Sequence, residues 1–132
     1  MPTITVNLNQ VDDATTAAQI RQHAVDIDRP EAKGGRDKGA MGGELLLASL
    51  GGCFNSNLLA AIRARDLEIN DIAIEVSGDL AEAPARFSSI NMVVKSGFND
   101  RETFEKLVKM SERACIVANT LKGSVELSVT VA

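Results

Sequence analysis

The sequence predicts an α+β fold in which short, mostly antiparallel strands pack around one buried central helix. Three observations carry this. Residues 42–62, GGELLLASLGGCFNSNLLAAI, place Leu45, Leu46, Leu47, Leu50, Phe54, Leu58, Leu59 and Ile62 on all sides of a 3.6-residue helix, and a helix apolar all round belongs inside a protein. On either side of it, short segments alternate apolar and polar residues with the period of two that marks half-buried strands. The strands come in runs, with the helices segregated between them.

Taken in order, TITVNL at 3–8 alternates Ile4, Val6 and Leu8 and reads as a strand. Gln10 to Ala14, with Asp12 and Asp13, reads as a turn. IRQHAVDID at 20–28 reads as a second strand, with Arg21 and His23 extending the face of Val25 and Ile27. Residues 28–43, rich in Gly and charge, form a loop. Its Gly34 and Gly39 have phosphate-loop spacing, but Ala40 and Met41 stand where Lys and Ser/Thr are required, which excludes a nucleotide site. The central helix starts near Gly43 or Glu44, and an acid in its first turn suits the helix dipole. Ser49, Asn55, Ser56 and Asn57 interrupt it, and it is expected to be too short and too broken to span a membrane.

Residues 71–77, with Ile72, Ile74 and Val76 on one face, and 87–95, with Ile90, Met92 and Val94 on one face, form an antiparallel pair around a turn at Ala83–Pro84. Asn99 and Glu102 form a capping-box pattern ahead of Phe104, Leu107 and Val108. A helix runs from there to about Arg113. Residues 114–121 continue it or form a second short helix, which stops at Lys122–Gly123. Val125, Leu127, Val129 and Val131 alternate in a last strand.

At 132 residues the chain is expected to be a single domain, 1–132. Its net charge of −4 and its lack of Trp and Tyr argue against nucleic acid, which rewards a basic face and stacking aromatics. The first residues carry no basic segment followed by an apolar one, so no signal peptide is expected and a cytoplasmic location follows. In a reducing compartment the two cysteines are not expected to form a permanent staple. Cys53 and Cys115 lie 62 positions apart, with one His in the chain and no CxxC. That is poor material for a zinc site, and no metal is expected. A helix apolar on every side needs cover on every side, and a second copy related by two-fold symmetry is the simplest cover.

Cys53 lies in the middle of the buried helix, where it is either core filling or a working thiol. A working thiol needs its anionic form, which a nearby cation or a helix start favours. Arg21 and Arg36, just upstream, are the candidate cations. Glu44 lies nine residues before Cys53, about half a turn away around the helix, so it can orient an Arg but not face the sulfur. Cys115 lies near a helix start if the chain breaks around residues 111–114.

DRP at 28–30, GGRDKG at 34–39, GELLLASLGGC at 43–53 and CIVANTL at 115–121 stand in an order that resembles the OsmC/Ohr family of thiol-dependent hydroperoxide reductases. The resemblance runs from about residue 20 to 132. It implies an OsmC-like fold, an intertwined homodimer with two sheets wrapped around paired central helices, and a site at the dimer interface. It implies that Cys53 attacks the O–O bond of an organic hydroperoxide and that Cys115 resolves the sulfenic acid to a disulfide. An external dithiol then reduces that bond. An Arg, held by a Glu, completes the set, and no cofactor takes part. Three features depart from the family pattern. The acid falls at Glu44, one residue closer to the Cys than in peroxidase members, Ile116 replaces the Pro that follows the second Cys, and the Pro that usually precedes the acid is replaced around Met41 to Gly43. The alternative is a non-enzymatic OsmC-like protein that binds a small apolar ligand, with both cysteines structural.

Overall fold

The computed structural model describes residues 2–132. Along them run β1 (Asn7–Gln10), β2 (Thr16–Ile20), β3 (His23–Ile27), α1 (Gly42–Ala64), β4 (Ala73–Ala81), β5 (Arg86–Lys95), α2 (Arg101–Ala114), α3 (Ile116–Leu121) and β6 (Glu126–Val131). The class is α+β, as the sequence predicts. The chain forms two compact units, one through Leu46 and one over Leu47–Ala132.

In the first unit β1, β2 and β3 form an antiparallel sheet in sequence order. Its strands differ from the expectation. The first begins only at Asn7, and the segment expected as one strand over 20–28 is the end of β2, a turn, and β3. Arg21 sits in that turn with φ 56°, so it does not share a strand face with Val25 and Ile27. The TAAQI of β2 carries two alanines where alternation would have advertised a strand.

The loop from Asp28 to Gly43 is organised by one buried carboxylate. Asp28, 3 % exposed, accepts hydrogen bonds from the Thr15 hydroxyl (3.1 Å) and from the backbone N–H groups of Arg29 (2.6 Å), Arg36 (3.1 Å) and Lys38 (3.2 Å). Burial pushes its acidity one way and these donors push it the other; the donors win, and the carboxyl is held below the usual carboxylate range. Gly35 and Gly39 let the loop lie against backbone, since a Cβ there would collide with the carbonyls of Arg29 and Asp26.

In the second unit β4 and β5 pair antiparallel from Ala73↔Lys95 onward, with a bulge at Asp79/Leu80. The last strand, β6, joins β5 parallel. A parallel neighbour needs a long crossover, and α2 with α3 supplies it. The cap of α2 is one residue later than the capping-box pattern places it. Asp100 accepts from the Thr103 N–H (3.1 Å) and from the Thr103 hydroxyl (2.7 Å), a fit that Asn99 does not make.

The core of this unit joins Leu50, Phe54, Leu58 and Ile62 of α1 to Ile90, Met92 and Val94 of β5 and to Phe104, Leu107 and Val108 of α2. Each fully buried side chain of this size contributes about 1.5–3 kcal/mol. Gly51 brings α1 close to β4: a Cβ there would stand 3.1 Å from Val76 Cγ2. The helix is therefore buried along one face, not all round as the sequence led us to expect. Leu59 stays 38 % exposed, and Leu45 and Leu46 are half-buried. The length expectation is also corrected. At 23 residues α1 is long and apolar enough to cross a membrane by length and composition alone. Its apolar face is instead occupied by β5 and α2.

Candidate functional site

Both cysteines are free thiols and both belong to the second unit. Cys53 sits one residue before the buried Phe54 on α1 and is half-buried. Cys115 is fully buried at the junction of α2 and α3. Its backbone leaves helical geometry (φ −78°, ψ 115°), so it ends one helix and caps the next. The Cys115 N–H donates to Glu112 O (3.2 Å) and closes α2, while its carbonyl accepts from Asn119 N (2.9 Å) and opens α3.

The first amides of a helix have no helical carbonyl to bond. At α3 the Cys115 sulfur takes one of those places. Cys115 Sγ accepts from Ala118 N at 3.4 Å. The amides of Val117 and Ile116 and the Cys115 thiol favour the anion of Cys53, and the Val117 amide also favours that of Cys115. The two thiols of one chain thus stand near enough for each to bias the protonation of the other.

This arrangement makes the thiols unequal. At Cys53 burial raises the pKa, but the Val117 amide, the Cys115 thiol and the Ile116 amide together outweigh it, and the pKa falls below the ordinary thiol value. At Cys115 burial again raises it; the Ala118 amide opposes this, and the neighbouring Cys53 adds to the rise. The pair therefore loses its first proton chiefly from Cys53, while Cys115 keeps its S–H. A thiolate beside a protonated thiol is the arrangement that oxidation to a disulfide requires.

The other candidate residues have partners of their own. Arg36 pairs with Asp13 (2.7 Å) and more loosely with Asp12 (3.8 Å). Arg21 lies exposed in the β2–β3 turn. Glu44 Oε1 accepts from Met41 N at 2.8 Å, an interaction local to the start of α1. The amides of Val117 and Ile116, which the sequence reading missed, act on Cys53 where a cation was sought. No side-chain motif could announce them, since every residue but proline carries an N–H. The available signal was the break in the helix at Cys115 with a non-proline residue after it. Among the described residues no cluster of three or more His, Cys, Asp or Glu is placed to hold a metal.

A family model described as OsmC-like protein matches residues 35–130, a span that contains both thiols. The chain belongs to the OsmC-like protein family. Solved structures share its fold over nearly the whole length. A hypothetical protein from Aquifex aeolicus superposes with a TM-score of 0.85 at 23% identity, covering 100% of this chain and 96% of that one. An OsmC-like protein from Mycoplasma pneumoniae gives 0.84 at 21%, covering 99% and 96%. An organic hydroperoxide resistance protein OsmC from Legionella pneumophila gives 0.76 at 16%, covering 100% and 98%. No curated protein matches the chain.

Proposed function

We propose that this OsmC-like chain is a thiol-dependent peroxidase for organic hydroperoxides, with Cys53 as the reacting and Cys115 as the resolving thiol. The observation that carries the reading is the asymmetry of the two neighbouring thiols, one favoured as anion and the other held protonated. The hydroperoxide-resistance name of a structural relative agrees with it. In the first step the Cys53 thiolate attacks one peroxide oxygen. An S–O bond forms, the O–O bond breaks, and the leaving alkoxide takes a proton to depart as alcohol. Cys53 is then a sulfenic acid. In the second step Cys115 sulfur attacks Cys53 sulfur, an S–S bond forms, and water leaves with the Cys115 proton. An external dithiol reduces the disulfide and is itself oxidised.

The chain is further proposed to work as a two-fold homodimer in the cytoplasm, without a cofactor. The apolar positions left open on α1, Leu59 and Leu45 among them, supply the surface a second copy would cover. Arg21 or Arg36 would then act on the substrate or on Cys53, with Glu44 orienting it. Cumene hydroperoxide with excess dithiol tests the reaction through loss of peroxide. Turnover is expected from the native chain, none from Cys53→Ser, and a single oxidation from Cys115→Ser. Peroxide loss no faster than with free cysteine would instead support a ligand-binding protein with inert thiols.

A further inference from the structure

The end of α1 and the last third of α2 share a polar contact that the thiol chemistry does not use. Arg65 follows the last residue of α1, and its guanidinium spans two partners. One arm, Nη1, donates to the carbonyl of Ala61 in the last turn of α1 (3.1 Å); the other, Nη2, donates to Met110 Sδ on α2 (3.6 Å). The first bond is what a cation at a helix C-terminus ordinarily makes. The second sets a permanently charged fork of donors against a thioether, which is a weak acceptor. Met110 is also open to attack: it is 43 % exposed, whereas Met41 is half-buried and Met92 fully buried.

We propose that Met110 is a sulfoxidation site and that Arg65 is the waiting partner of the oxygen it gains, so that a hydroperoxide tightens the α1–α2 contact instead of loosening it. The Met110 sulfur attacks the terminal oxygen of the hydroperoxide. An S–O bond forms, the O–O bond breaks, and the hydroxyl proton passes to the leaving alkoxide, which departs as alcohol. The thioether loses two electrons and the peroxide gains them, so no other reagent is needed. A sulfoxide in a core is disruptive, because it is polar where the thioether was apolar. At the surface position of Met110 the flexible side chain can turn the new oxygen to Nη2. The weak N–H···S contact then becomes a charge-assisted N–H···O bond. This reaction is separate from the peroxidase cycle proposed above: it consumes one peroxide per chain and needs neither cysteine.

Peptide mass mapping of the native chain after brief exposure to hydrogen peroxide, with the thiols then restored by dithiothreitol, tests the site. Met110 is expected to gain its oxygen, about 16 Da, before Met41 and well before Met92. Urea unfolding of the same material tests the partner. Oxidation is expected to raise the unfolding constant of Arg65→Gln about fivefold more than that of the native chain, the size of one exposed charge-assisted hydrogen bond. Met110→Leu, treated in the same way, is expected to show no such difference when Arg65→Gln is added. Oxidation of Met41 ahead of Met110 overturns the proposal, as does equal destabilisation of the native and Arg65→Gln chains. The mapping uses the native chain alone, so it decides even where a variant folds poorly. Neither arm measures turnover, so failure here is distinguishable from failure of the peroxidase reading.

Discussion

Oxidising the two thiols to a disulfide should raise the melting temperature of the chain, and the size of the rise follows from where they lie. Cys53 and Cys115 are 62 positions apart, so the bond closes a long loop in the unfolded state. Loop-closure entropy for that length is worth about 4 kcal/mol at 25 °C, an upper value because native strain subtracts from it. For 132 residues the unfolding entropy near 60 °C is about 0.28 kcal/mol/K. The ceiling is then about 15 °C, and strain or residual structure lowers it to a rise of roughly 5–15 °C. The two thiols already neighbour each other closely enough to bias each other's protonation in the reduced fold, so a modest rearrangement should join them. The assay is a melt of protein kept in phosphine against protein given one equivalent of cumene hydroperoxide, with intact mass on the same samples. Bond formation removes about two daltons. Cys115→Ser treated the same way gains an oxygen and shows no comparable rise. An oxidised native chain that has lost both thiols yet melts at or below the reduced temperature would refute the reasoning, because the two sulfurs would then be held apart by the fold.

Further consequences can be checked alongside it. Phe54→Ala removes the largest fully buried side chain of α1 and should cost about 3–5 kcal/mol in urea unfolding. Gly51→Leu drives a side chain into Val76 and should cost about 1–3 kcal/mol, part of which Val76→Ala restores. The carboxyls of Asp13, Asp28, Asp71 and Asp100 are all held below the usual carboxylate range by hydrogen bonds or ion pairs. Their stabilisation is fully present above the unfolded value of about 4 and is lost as pH falls through their lower folded values, so an acid titration should show stability flat near neutrality and dropping below pH ~4.

Much of this architecture could be read from residue pattern, and the failures have physical causes. Leu50, Phe54, Leu58 and Ile62 fall at helical spacing, and the buried face is where that spacing puts it. The β4–β5 pair was legible because Ile72, Ile74, Val76, Ile90, Met92 and Val94 alternate without a break. The β2–β3 hairpin was not, because it turns at Arg21 without glycine and β2 has a pair of alanines. The exposed half of α1 was unreadable for a different reason: composition tells that a residue is apolar, not which neighbour covers it. At the site, two thiols and their order were visible. Their meeting was not, since it depends on α2 ending at Cys115. The means of activation was hidden as well, because backbone amides leave no mark in a sequence.

The central claim is that Cys53 reacts as a thiolate. Its most direct test is the rate at which Cys115→Ser protein, carrying that one thiol, is oxidised by cumene hydroperoxide at pH 7, with the sulfenic acid trapped by dimedone. An activated Cys53 predicts a rate at least about tenfold above free cysteine, which is only a few per cent thiolate at that pH, and a rise with pH that levels off below the ordinary thiol value of about 8.5. A rate equal to that of free cysteine, with a midpoint at or above that value, would contradict it.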